Sequence, residues 1–277
     1  MSGYVRYTPA TPGREKTPNL WGKALEAYAV DPAVGIYRFD DFTDKFLANT
    51  TDASANSNWF IQDAAAGGTS ENFTSIDGVD GLVTLSATTG TDHFGIEAHY
   101  GSTATTQGII NLCTHSTDER GDVIVEFYIK IDDCDQWFVG LTEPIVEFLG
   151  ATGALPTSSD YIGFYRSDAG ALTFVAANDN NGGTAVADSV TLLTAAQTTT
   201  LQAAGYMKLG FKVKRDQKVS VYVENESYQV AIDAGFNKLA LPIETLTYKI
   251  ALQRGPTADN ATVAATLDWV GSFVEAL

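Results

Sequence analysis

The chain has 277 residues, 44% of them apolar, with 34 acidic and 17 basic side chains and a formal net charge of −17. A chain of this length buries a large core without disulfide or metal support. Its acidity sets it against phosphate backbones, and it has no apolar run long enough for a membrane-spanning helix, so neither nucleic acid nor membrane is expected as a partner.

Residues 1–18 read as an extended arm, because Pro9, Pro12 and Pro18 forbid regular helix. Arg6, Arg14 and Lys16 against Glu15 give the arm +2 and leave −19 on the remainder. Tyr4, Val5 and Tyr7 add apolar anchors. Such an arm is either a solvated tail or a tether that lies on a partner. It has no apolar core of the secretory type, so folding in a cytoplasm is expected. Asn19–Val30 is a short amphipathic helix: Asn19 caps it, Leu20, Trp21, Ala24, Leu25 and Tyr28 share a face, and Pro32 stops it. Its apolar face needs a surface, either of its own domain or of a neighbouring subunit.

From Gly35 onward the pattern is β. Short strands are expected at Gly35–Phe39, Asn58–Gln62, Gly81–Ala87, His93–His99 and Gly108–Thr114, with residues 63–80 a loop. Val123, Val125, Phe127, Ile129 and Ile131 alternate along a longer strand, which turns at Asp132–Asp135 and returns as Gln136–Leu141. Residues 143–159 form a longer loop. Tyr161–Arg166 and Ala171–Ala176 pair through Ser167–Gly170, and Ala185–Val190 follows. Residues 191–204 are a short helix or a loop. Met207, Leu209, Phe211 and Val213 alternate with Lys208, Lys212 and Lys214, and Val219, Val221 and Val223 resume the period after a polar turn. A third strand runs from Tyr228 to Ile232, then Thr245–Leu252, and last Ala261–Phe273, with Leu267, Trp269 and Phe273 facing one way and Asp268, Val270 and Ser272 the other. A meander of this kind buries its apolar face only under a second sheet. The fold is therefore expected to be all-β, a two-sheet antiparallel sandwich (residues 35–277) behind an extended arm with one short helix (residues 1–34).

The segments VIVEFYIKIDDCDQWFVGLTE, DYIGFYRSDAGALTFVA, GYMKLGFKVKRDQKVSVYVENESYQVA and TLDWVGSFVEA, in that order, resemble concanavalin A-like (laminin G-like) jelly rolls, with Ile36–Phe42 as first strand and the last strand returning beside it. Within that fold the arrangement looks most like structural proteins of tailed bacteriophage heads. The resemblance implies a virion location on the capsid surface and a decoration or cement role. The partner would be the major capsid protein, and the chain would associate with itself as a homotrimer or homodimer. Arm and helix would then supply the partner contacts, through Tyr4, Arg6, Tyr7, Arg14, Lys16 and Trp21.

Enzymatic chemistry finds little support. A glycosidase needs two carboxylates facing one cleft; Glu126 stands alone on its strand, and Asp40 and Asp41 are adjacent and so point to opposite faces. His93 and His99 share parity on one strand but sit six residues apart, too far for joint ligation, and His93, His99 and His115 read as ordinary surface or core histidines. No catalytic residue and no cofactor is expected. Calcium could sit at Asp132-Asp133-Cys134-Asp135 or Asn178-Asp179-Asn180-Asn181, although plain turn chemistry explains both stretches equally. Cys113 and Cys134 are two buried thiols, one bridge or metal ligands. The alternative function is a carbohydrate-binding module of a viral fibre or spike. Trp59 and Trp21 are the freer aromatic platforms, and Trp137 and Trp269 are expected in the core.

Overall fold

The computed structural model describes residues 35–40, 42, 48–49, 59–63, 73–77, 82–87, 95–101, 110–112, 121–132, 134–145, 148–150, 152–168, 170–179, 186–225, 227–255 and 263–275. The strands are β1 (Gly35–Asp40), β2 (Ala48–Asn49), β3 (Trp59–Asp63), β4 (Phe73–Asp77), β5 (Val83–Ala87), β6 (Gly95–Tyr100), β7 (Ile110–Asn111), β8 (Val123–Asp132) and β9 (Gln136–Thr142). They continue with β10 (Tyr161–Arg166), β11 (Leu172–Asn178), β12 (Val186–Leu193), β13 (Met207–Val213), β14 (Val219–Glu224), β15 (Gln229–Ala234), β16 (Thr245–Gln253) and β17 (Val263–Glu275). Helix α1 is Ala195–Ala203.

Two sheets stack face to face. The first runs β15-β14-β13-β8-β17-β5-β4, with β1 also on β17, and the second runs β12-β11-β10-β9-β16-β6-β3-β2, with β7 on β16. All pairings are antiparallel except the two-residue contact of β2 with β3. The last strand returns beside the first, Gly35 facing Glu275 and Asp40 facing Val270. The alternating residues read from the sequence form the shared core. Val125, Phe127, Leu209, Phe211 and Val221 come from the first sheet, and Trp137, Val139, Ile162, Phe164, Phe174 and Ile250 from the second. The β13–β14 hairpin has the expected register and turns at residues 214–218, where Gln217 adopts φ 67° and its N–H donates to Lys214 O at 2.8 Å.

Two readings change, and the open choice at 191–204 is settled as a helix. Residues 63–80 include a strand, β4, which pairs with β5 at the sheet edge. Its sequence, FTSID, offers only two apolar residues, too few to show a period. The 191–204 stretch extends β12 and then forms α1. Thr194 caps that helix reciprocally with Gln197, whose side chain accepts the Thr194 N–H at 3.0 Å, and Gly205 ends it at φ 101°. In β17 a bulge between Leu267 and Trp269 breaks the period of two. Leu267, Val270 and Ser272 therefore share the inner face, and Trp269 and Phe273 point outward. The arm and the Asn19–Val30 helix lie outside the described residues.

Candidate functional site

The outer face of the second sheet is covered by the chain itself. Gly163 of β10 lies opposite Gly140 of β9, which lies opposite Lys249 of β16, and that residue faces His99 of β6. A Cβ on Gly140 would sit 2.4 Å from Ile162 O, and one on Gly163 would sit 2.8 Å from the Phe138 ring. The two glycines thus leave a trough where Phe138 lies. The loop between β9 and β10 folds down over it. Phe148 packs at a tilt on Phe138, ring centroids 4.4 Å apart, and edge-on against Tyr161, with Leu149, Val175 and Ala251 in the same small cluster.

Side chains of the sheet then satisfy the loop's backbone. Glu97 of β6 accepts the N–H groups of Phe148 (3.0 Å) and Leu149 (2.9 Å), and Lys249 Nζ donates to Ile145 O (3.0 Å). Glu97 and Lys249 are themselves paired at 2.6 Å, with both side chains wholly out of solvent. Gln253 Nε2 donates to Gly150 O (3.2 Å) and the Tyr165 hydroxyl to Gly153 O (2.8 Å). A loop tied down this way closes the face. Glu97 is thus taken up by Lys249 and by the loop's backbone. His99 is buried with its ring 5.1 Å from Phe60; His93 and His115 lie outside the described residues.

At one end of the sandwich Glu143, Asp160 and Asp179 bring carboxylate oxygens within 4.8 Å of one another. They sit where β9 ends, β10 begins and β11 ends. Asp160 accepts the backbone N–H groups of Asp179 (2.8 Å), Ile243 (2.7 Å) and Glu244 (2.9 Å), so it is a knot of the loops as much as a charge. Burial, and then the repulsion of Asp160, Asp179 and Glu244, pushes the Glu143 carboxyl above its ordinary value. Of the two turns weighed for calcium, the one containing Asp179 therefore gathers oxygen ligands, with Glu143 and Asp160 supplied from distant sequence. In the other turn Asp132 pairs with Lys130 at 2.9 Å. A raised carboxyl pKa means that the folded state holds the proton more tightly than the unfolded chain, so ionisation near neutrality costs stability and protonation restores it. Glu143→Gln is thus expected to raise the urea midpoint at pH 7 in chelator, with the gain gone below the ordinary carboxyl value of 4.5. An equal gain at pH 3.5 and pH 7 would contradict the electrostatic origin.

At the opposite end a recess of about 430 Å³ lies between the β8–β9 turn, α1 and the end of β16. Arg166 donates to Cys134 O (3.4 Å), Gly170 O (3.3 Å), Thr199 Oγ1 (3.0 Å) and Gln202 Oε1, and so clamps α1 to both hairpin turns. That network occupies the guanidinium and makes it a structural group. Cys134 is a free buried thiol that donates toward Gln136 O and Gln253 O; burial pushes it up to about 12. In a Cys113→Ser background, native protein should leave a thiol reagent such as DTNB unreacted at pH 8, with stoichiometric release only after denaturation. Rapid native labelling would show the site open.

The tryptophans sort differently from their sequence reading. Trp59, a freer candidate from sequence, is 2% exposed and donates from Nε1 to Asp40 Oδ2 at 2.9 Å. It packs on Phe42, Tyr100 and Tyr248, because its strand carries the aromatic onto the inner face. Trp137 is core, as expected. Trp269 is buried, but on the outer face. Tyr4, Arg6, Tyr7, Arg14, Lys16 and Trp21 all lie outside the described residues. The closed face and the carboxylate cluster were missed from sequence because each is assembled from residues far apart in the chain.

No family model matches the sequence, and no curated protein matches it. Solved structures do. The carbohydrate recognition domain of Emp47p is similar at 12% identity and a TM-score of 0.50, over 89% of this chain and 99% of that one. Arcelin-5, a lectin-like defense protein from Phaseolus vulgaris, is similar at 10% identity and a TM-score of 0.49, over 88% and 100%. The alginate lyase A1-II′ gives 15% and 0.40, over 76% and 86%. Likeness at these identities is one of fold. Topology and the first of these likenesses agree that the body is a lectin-like, concanavalin A-like jelly roll.

Proposed function

We propose that this chain is a non-enzymatic structural protein of a virion, a head decoration or cement protein whose jelly-roll body is held across major capsid protein subunits by its leading arm. The observation that carries the reading is the closed face: the outer surface of the second sheet is filled by the chain's own loop, and Glu97, buried there, is paired with Lys249. A body built this way acts through its shape. Charge supports the same reading. The body, residues 35–277, carries −18 and repels its own copies, and the arm is the basic segment, with Arg6, Arg14 and Lys16 alongside the anchors Tyr4 and Tyr7. Assembly follows the lattice as a symmetric trimer or dimer on the capsid surface. Deleting residues 1–18 should leave a folded body that no longer binds empty shells in a co-sedimentation assay. Binding equal to that of the intact chain would sink the tether.

A second reading, a carbohydrate-binding module of a viral fibre or spike, is favoured by one observation, the Glu143–Asp160–Asp179 cluster at a loop end. A glycan array with and without calcium tests it, and no binding in either condition removes it.

A further inference from the structure

Among the described residues, the two central strands of the first sheet bury four large apolar side chains on its outer side. Ile124 and Tyr128 of β8, and Trp269 and Phe273 of β17, alternate with Val125, Phe127 and Val270 of the core, so they point away from it. They belong to neither packed core cluster, yet they are only 2, 7, 6 and 1% exposed. Register sets Ile124 opposite Phe273 and Tyr128 opposite Trp269, with Glu126 opposite Gly271 between them. Tyr206 extends the row, its ring 5.0 Å from Tyr128, which lies 6.1 Å from Trp269. An apolar strip on an outer face is stable in water only beneath a cover, and exposures this small require one.

We propose that the cover is residues 19–30 of the same chain, docked as an amphipathic helix with Leu20, Trp21, Ala24, Leu25 and Tyr28 against the strip. Connection favours it. β1 enters the sheet with Gly35 paired to Glu275, two residues beyond Phe273. The five residues from 30 to 35 reach at most about 17 Å, enough to turn back over that side chain. Length agrees as well. The strip from Ile124 to Tyr128 runs about 14 Å, and a helix of this segment's length about 18 Å. The inference does not depend on the virion reading. It assigns Trp21 to the chain's own body and leaves residues 1–18 for a partner.

Lys23 lies inside the segment and makes trypsin a direct reporter, because cleavage there follows the population of the undocked form. In the full chain, Trp21→Ala with Leu25→Ala should speed cut formation after Lys23 by about a hundredfold, and Leu25→Ala alone by about tenfold. The sandwich should keep its β circular dichroism in both variants, and dye binding to the uncovered strip should rise. The single variant keeps the test alive if the double one aggregates. An unchanged cleavage rate overturns the proposal. So does a wild-type rate that falls as protein concentration rises, which would put the segment on a second copy.

Discussion

Lys249→Met should cost about 3–5 kcal/mol of unfolding free energy, the range for stripping one partner from a buried ion pair. The reason is geometric. Glu97 and Lys249 are both fully buried and 2.6 Å apart, and neither can turn to water without lifting the 143–159 loop. Removing the ammonium leaves a carboxylate that still accepts from Phe148 N and Leu149 N but has lost its counter-charge, and Ile145 O loses its donor. The double variant Glu97→Gln with Lys249→Met should recover at least about 2 kcal/mol of that loss. Its neutral amide still offers one acceptor, and residues in direct contact are not additive. Urea unfolding of the four proteins of the cycle measures this. A single-variant loss below about 1 kcal/mol would mean that the loop opens easily and the face is accessible.

That result bears on function. If the loop is held as firmly as the pair implies, the face stays shut under native conditions, and any ligand or partner must be met at the sandwich ends, at the edges or by the leading segment. A loop that opens at little cost would return the face to the list of binding surfaces and weaken the reading of a purely structural body.

Much of the fold was legible because strand periodicity is local. The runs 123–131 and 207–223 state their buried faces residue by residue, and the β13–β14 register follows from their turn. What could not be read was set by long-range pairing. A single bulge at 267–269 turns Trp269 and Phe273 to the outer face, and no local signal in TLDWVGSF announces it. β4 is too polar to show a period. The α1 capping box, Thr194 to Gln197, is visible in the sequence as a helix-start signal and decides between the helix and the loop left open for residues 191–204. The candidate sites were less legible still. Glu97 and Lys249 are separated by most of the chain, and only the register of β6 on β16 brings them together. Asp179 was noticed in its Asn-rich loop, but Glu143 and Asp160 join it through the order of β9, β10 and β11.

Trp59→Ala should lower stability by about 3–5 kcal/mol, the usual cost of removing a buried indole. Trp59 joins four elements. Its ring lies 6.4 Å from Tyr248 and 5.8 Å from Phe42, and its Nε1–H ties β3 to Asp40 at the end of β1. Tyr248 in turn donates to Ser272 of β17 at 2.6 Å, so the loosened packing reaches the central strands of both sheets. Trp59→Phe separates the two contributions. It keeps an aromatic in the core and removes only the donor to Asp40, for which about 1–3 kcal/mol is expected, because a partly buried carboxylate oxygen loses its partner. The same pair of variants tests whether Trp59 could serve as a sugar platform. A core indole predicts that Trp59→Phe loses stability and leaves any glycan binding by the folded protein unchanged. An indole at a binding surface predicts lost binding with the unfolding midpoint intact. The second pattern would show that β3 does not carry Trp59 inward and that the inner face of the second sheet is differently composed.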